Sequence, residues 1–424
     1  MIKNKNILFV GPSLSSQSAL TYVLVEIMKQ TYNDIKNTGN ITYLNLFGSE
    51  YKKDNFIKIY DAEKLASKIE VIDYLPNKQV NIDSVIQGVK PDIVFSCLDP
   101  WHLEEIAFSA FKETFLWVAY TTVETPKYPE QVLFPKNQTY KHVDIKEILE
   151  QVDILIPFTP MGQKALFNLG LEPVEYIYPG ISLEKRYTKE ISKAKAFSMG
   201  VQDDDFVFMT VGINNERKNM GYLLEVFRDF LNEIENPDKY KLYMHTDIYK
   251  EFGGTDLLTL SKELLLQKNV IFKQPNVVYS TIDLFSYYKA CDCYISLTGS
   301  EGFGYGFAEA MLHEKPLIYT MYAGNKDFCS GHGVGIECKE YKHAMNFNSK
   351  IGIPDLEYAK IVMKEVAKSS KLRLELTQDS LNFVKKHFDW NIQYKKIQEI
   401  VNQKYNIFKS YNKIVKDFNL KRVV

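Results

Sequence analysis

Short apolar runs alternate with amphipathic helical ones along nearly the whole chain, and they do so in two successive sets. In the first set the apolar runs are residues 7–10, 41–46, 93–97, 116–120, 154–158 and 174–178; in the second they are 206–211, 241–245, 270–272, 294–297 and 317–319. Such runs suit strands buried on both faces, the pattern of parallel sheets covered by helices. Two sets predict two Rossmann-like lobes of an α/β protein, and 424 residues are enough for each to bury its own core. The break falls near Pro179-Gly180-Ile181-Ser182, and a charged run through Lys195 leads into the second lobe. Open parallel sheets bind ligands beyond the carboxyl ends of their strands, so two facing lobes would share a cleft.

Composition narrows the partners. A net charge of −1 gives no general drive toward nucleic acid or anionic membrane. Five cysteines, Cys97, Cys291, Cys293, Cys329 and Cys338, read as reduced core thiols, and Cys291-x-Cys293 is too close and too strand-like for a zinc pair. No run approaches 18 apolar residues, and the chain enters a strand at Ile7 without a signal-peptide layout, so a cytoplasmic protein is expected. The basic, amphipathic tail from Lys413 to Val424 leaves peripheral membrane contact open, although a docking helix is the plainer reading. Oligomeric state is not legible. No solenoid repeat or long low-complexity stretch appears.

The stretch Ser300-Glu301-Gly302-Phe303-Gly304-Tyr305-Gly306-Phe307-Ala308-Glu309-Ala310-Met311 carries the most chemistry. It lies between an apolar strand at 291–297 and a helical run at 307–313. A strand that breaks at glycines into a helix presents free amides and the positive end of a helix dipole, a seat for phosphate. Glu301 stands at the mouth of that turn and Glu309 in the first turns of the helix. A glutamate opening a helix also occurs for dipole reasons alone, and the glycines could serve only to shape the turn.

The stretch resembles the E-x7-E signature of retaining, two-domain GT-B glycosyltransferases of the family-4 type, including the Glu-Gly-Phe-Gly core, the Glu-Ala-Met that follows and the next apolar strand, Lys315-Pro316-Leu317-Ile318-Tyr319. The resemblance implies a GT-B fold of two Rossmann-like lobes. The expected limits are an acceptor-binding lobe over 1–183, completed by C-terminal helices over 391–424, and a nucleotide-sugar lobe over 184–390. It implies that Glu309 holds the ribose hydroxyls and Glu301 the donor sugar, with amides around Gly302, Phe303, Gly304 and Tyr305 at the diphosphate. Ile177-Tyr178-Pro179-Gly180-Ile181-Ser182 is similar to the family's interdomain turn, with Ser182 where aspartate is usual, and His387-Phe388-Asp389-Trp390 is similar to the place where the chain crosses back.

Gly212-Ile213-Asn214-Asn215-Glu216-Arg217-Lys218-Asn219 follows a strand and precedes the helical run at 220–230. Two cations there could neutralise a diphosphate leaving group, or they could be solvated loop charges. Arg-Lys-Asn before Leu-Leu-Glu-x-Phe resembles the family's donor-lobe cation motif, which implies that Lys218 contacts the donor phosphates. The family commonly has an arginine just after the first glycine; this chain has Ile213, and Arg217 is the expected replacement.

In the first lobe, Gly11 and Ser13 lie in a serine-rich loop after the opening strand, where the resemblance implies Gly11 at the donor phosphates and Ser13 on the acceptor side. A plain N-cap reading stands beside it. Asp99 and Glu124 end two further strands. The family's histidine is missing from the second of these loops, where Thr122-Val123-Glu124-Thr125-Pro126 is similar to a Val-(Asp/Glu)-Gly-x-Pro variant. Glu124 is therefore expected to be an acceptor-side group with Asp99 as its neighbour, although either acid could merely cap a helix. Asp203-Asp204-Asp205 precedes a strand and reads as solvated loop acids, so no metal is expected.

Together these features predict a retaining, metal-independent glycosyltransferase with no required cofactor. It would take a UDP- or GDP-sugar as co-substrate and a hydroxyl acceptor that is a glycan, a lipid or another molecule. A catalytically silent nucleotide-sugar-binding module is the rival reading. A dinucleotide-dependent oxidoreductase fits less well, because neither lobe has a full G-x-G-x-x-G fingerprint.

Overall fold

The protein is described by a computed structural model covering residues 4–35, 38–74, 81–136, 139–186, 191–197, 200–248, 253–275, 277–343 and 349–422. In chain order the first lobe has β1 (Asn6–Pro12), β2 (Asn40–Phe47), β3 (Glu70–Asp73), β4 (Ile93–Ser96), β5 (Leu116–Thr121), the hairpin of β6 (Gln131–Lys136) and β7 (Thr139–Asp144), and β8 (Ile154–Pro157). The second lobe has β9 (Phe206–Val211), β10 (Tyr240–His245), β11 (Val270–Phe272), β12 (Cys293–Ser296), β13 (Leu317–Thr320), β14 (Gly333–Ile336), and the antiparallel pair β15 (Cys338–His343) and β16 (Lys350–Pro354). Two parallel six-stranded sheets result, in the orders β3-β2-β1-β4-β5-β8 and β11-β10-β9-β12-β13-β14. The strand order reverses beside β1 in one lobe and beside β9 in the other, so each sheet has its ligand-binding crevice at the carboxyl end of its first strand. The fold is GT-B, two Rossmann-like lobes.

One expected strand is absent. Residues 174–178 run beside β8 and form two backbone bonds, Val174 N to Leu155 O (3.0 Å) and Ile177 N to Pro157 O (3.0 Å). The ladder stops there because Pro157 has no N–H to return. The short edge strands β3 and β14 and both antiparallel hairpins carried no clear apolar run in the sequence.

The chain passes between the lobes twice, and the two passages are pinned together. Ile181 N donates to Phe388 O (2.6 Å), and a Cβ at Gly180 would lie 2.5 Å from the Trp390 ring, so only glycine fits there. The helix Trp390–Arg422 then lies on the first lobe. It buries Ile397 and Val401, while Tyr394 OH donates to Asp34 (2.9 Å) and Tyr405 OH to Asp92 (2.6 Å). Side chains from 413 onward, and with them the basic tail, lie outside the described residues. An apolar cluster continues from one lobe into the other through Tyr178, Phe303, Phe328 and Phe388, whose rings stack edge to face or tilted at 5.0–6.1 Å.

Cys97, Cys291, Cys293 and Cys329 are free, buried thiols, and Cys338 is half-buried and free. Of the three consecutive acids, Asp205 is buried and accepts from Gln202 N (2.8 Å), which corrects the reading of it as a solvated residue. It ends the turn that leads into β9. Among the described residues no helix is long and apolar enough to cross a membrane.

Candidate active site

Two loops at the carboxyl ends of neighbouring strands build the centre of the site. After β9 the chain makes a single 3₁₀ turn, Glu216–Lys218, whose start is capped by the Asn215 side chain accepting from Lys218 N (3.2 Å). Asn219 follows at φ 53°, a left-handed conformation asparagine tolerates, and its amide donates to Leu297 O (2.9 Å) and Gly352 O (3.3 Å). After β12, Gly299 N donates to Arg217 O (2.7 Å) and the Arg217 guanidinium returns a bond to Ser300 O. The two loops are stitched into one surface.

On that surface Arg217, Lys218 and Glu301 meet. Lys218 Nζ donates to Glu301 Oε1, and Arg217 Nη1 lies 3.1 Å from Glu301 Oε2. A third partner comes from the other lobe: Arg217 Nη2 lies 2.8 Å from Glu124 Oε1. The loops themselves touch, since Ser300 Oγ donates to the Glu124 carbonyl and a Cβ on Gly302 would fall 1.7 Å from Thr122 Oγ1. The lobes are therefore closed upon these charges.

Burial acts to raise the Glu301 pKa, but Lys218 and Arg217 overcome it and hold the carboxyl at about 2. Burial pushes the Lys218 ammonium below its ordinary value, with Glu301 opposing. For Arg217 burial is outweighed by Glu124 and Glu301, which raise it. Burial, then the charge of Glu124, lifts Asp99 to about 7 against the pull of Arg217. Buried ion networks of this kind add little to folding once desolvation is counted, and they concentrate at functional sites.

Glu309 lies one turn into the helix Tyr305–Leu312. That helix opens on Gly304 at φ 93°, which requires glycine, and Gly306 lets the Tyr294 ring approach to where a Cβ would be 2.0 Å from its hydroxyl. Burial lifts the Glu309 carboxyl to about 7. The Tyr294 hydroxyl is raised first by burial and then by the charges of both Glu301 and Glu309. The helix amino end, the cation pair and both glutamates thus share one neighbourhood. Such a set can hold an anion and fix hydroxyl groups beside it.

Other residues singled out in the sequence sit differently. Gly212 lies against the Lys218 stem, a Cβ there falling 3.4 Å from Cε. Ile213 is 54% exposed and adds no charge to the network. The Phe303 side chain belongs to the aromatic cluster between the lobes, and Tyr305 OH donates to Gly180 O (3.2 Å) while its ring meets Tyr22 edge-on. Gly11 is explained by packing, because a Cβ would strike Leu24 and Tyr43 at 2.2 and 2.4 Å. Ser13 is fully buried, its Oγ accepting from Ser15 N (3.1 Å) within its own loop. Asp99 precedes the 3₁₀ turn Pro100–His102 but does not cap it, and no helix follows Glu124 directly, so neither acid is the helix cap that the sequence allowed.

Sequence reasoning missed Thr122, Ser300 and Tyr294. Nothing in a serine, a threonine or a core tyrosine marks them before the lobes are assembled. A cavity of about 540 Å³ lined by Tyr74, Asp83, Glu105 and Phe108 opens elsewhere in the first lobe and touches none of these residues. Among the described residues no group of three or more His, Cys, Asp or Glu is arranged to hold a metal ion.

Residues 192–352 match the family model for glycosyl transferases group 1. The chain is 28% identical over 168 residues to alpha-monoglucosyldiacylglycerol synthase of Streptococcus pneumoniae, a match spanning 39% of this chain and only 34% of that relative. Its fold is similar to that of Anabaena HepE in complex with UDP and glucose, with a TM-score of 0.67 at 16% identity over 94% of this chain and 99% of the other. It is also similar to sucrose-phosphate synthase from Thermosynechococcus elongatus, with a TM-score of 0.64 at 13% identity over 95% and 99% of the two chains. Residues 192–352 thus resemble group 1 glycosyl transferases, and the two-lobed fold is shared with these structures.

Proposed function

We propose that the protein transfers a sugar from a nucleoside diphosphate sugar to a hydroxyl acceptor, with retention at the anomeric carbon. The observation that carries this reading is the convergence of Arg217, Lys218 and Glu301 beside the glycine-opened helix that bears Glu309. Similarity to a UDP- and glucose-bound protein supports the donor class.

In this reading Glu309 accepts from the ribose hydroxyls and Glu301 from hydroxyls of the donor sugar. Lys218, Arg217 and the amides from Gly302 to Tyr305 stabilise the charge that grows on the diphosphate as the bond from the anomeric carbon to the phosphate oxygen breaks. The acceptor oxygen bonds to that carbon from the same face, and its proton passes to the departing phosphate oxygen. A separate base is then unnecessary. Asp99, Glu124 and the Ser13 loop face the acceptor, Gly11 and Gly212 flank the phosphates, and lobe closure excludes water. We assign the acceptor lobe to 1–183 with 391–424 and the donor lobe to 184–390. No metal or resident cofactor has a step, and the protein works in the cytoplasm with its tail available to a membrane surface.

The test is to incubate the full chain with UDP- and GDP-sugars and to follow the released sugar by proton NMR. Slow donor hydrolysis giving first the anomer of the donor supports retention. The opposite anomer contradicts it, and tight donor binding with no release or transfer would favour a silent binding module.

A further inference from the structure

The guanidinium of Arg217 serves two carboxylates from opposite lobes, Glu301 at 3.1 Å and Glu124 at 2.8 Å. Glu124 is not there by chance of a floppy side chain. Its backbone carbonyl is held by Ser300 Oγ from the donor lobe, and the neighbouring Thr122 is packed so closely on Gly302 that no Cβ fits between them. With Lys218 on Glu301, the two cations are already neutralised by two acids inside a closed, poorly screened space. A diphosphate entering this site would add negative charge where Glu124, Glu301 and Asp99 already stand.

We infer that Glu124 is a built-in stand-in for the donor diphosphate: in the empty protein it occupies Arg217 and latches the lobes, and the donor binds by displacing it. The inference rests on the proposed donor site and adds a competition within it. The latch makes the donor-competent state a fraction of the empty ensemble, so apparent anion affinity is reduced by that fraction. Displacement releases Glu124 on the acceptor side only after the diphosphate has taken its place.

The experiment is calorimetric titration of the full chain with inorganic pyrophosphate, and separately with UDP and GDP, in the wild type, Glu124→Gln and Glu124→Asp. Glu124→Gln keeps the shape and removes the competing charge, so pyrophosphate and the accepted nucleotide should bind about tenfold more tightly, within the usual range of coupling between sites. Glu124→Asp keeps the charge and should stay within about threefold of wild type. Unchanged or weaker pyrophosphate binding in Glu124→Gln overturns the latch. Tighter pyrophosphate with no nucleotide binding in any form would uphold the latch and sink the donor reading. Equal nucleotide affinity in wild type and Glu124→Gln would do the reverse, and no binding of any probe would end both.

Discussion

Burial holds the Glu309 carboxyl at about 7, whereas an exposed glutamate titrates near 4.5. Because the folded pKa is raised, the associated stability is complete below pH 4.5 and is lost as pH rises through 7. Glu309→Gln should therefore stabilise the protein above pH 7 by on the order of 3 kcal/mol and leave it unchanged below pH 4.5, as read by urea unfolding. Equal gains at both pH values would mean the acid is not buried as described. Glu301 has the opposite sign. Its folded value of about 2 lies below the ordinary one, so its contribution is present above pH 4.5 and fades as pH falls through 2. Glu301→Gln leaves Lys218 with no carboxylate and Arg217 with one fewer, which should cost about 3 kcal/mol at neutral pH in the same assay. A loss below about 0.5 kcal/mol would show the network to be solvated.

At the scale of the loop, Gly302 decides whether the lobes can close. A methyl group at that position lands on Thr122, so Gly302→Ala should hold the lobes apart, lower turnover at least tenfold and raise the radius of gyration in solution scattering. Adding Thr122→Gly removes the obstructing atoms and should restore both. Failure of that rescue would place the effect within the glycine turn itself. The sequence made the elements around this contact legible: the strand, the break at Gly304 and the helix were all visible from apolar spacing and glycine placement. What could not be seen was the partner across the cleft. Thr122 and Glu124 act through a distance in space that no spacing along the chain encodes. Gly11 answers to the same kind of distance: a Cβ there would strike Leu24 and Tyr43, a contact that its place in the loop does not announce. The two lobes were readable because strands buried on both faces leave continuous apolar runs; β3 and β14 were not, because Glu-Val-Ile-Asp and Gly-Val-Gly-Ile leave no such run.

For the whole molecule, the crossing-back helix makes the chain's end part of its beginning. Truncation after residue 389 removes the tyrosine partners of Asp34 and Asp92 and uncovers the surface under Ile397 and Val401. Amides of β4 and β5 should then exchange markedly faster while those of β9 and β12 keep their protection, because each lobe has its own sheet. Uniform loss of protection would mean the lobes fold as one unit. One ligand should engage the cations at 217 and 218 and the acids at 301 and 309 together. Thermal shift with a panel of UDP- and GDP-sugars tests that most directly, in wild type, Glu309→Ala and Lys218→Ala. At a hundredfold excess over Kd a bound donor should add about 2.7 kcal/mol to wild-type stability, seen as a rise in Tm of several degrees, and both variants should lose it. A donor that stabilises the variants as much as the wild type, or no stabilisation by any member of the panel, would contradict the account.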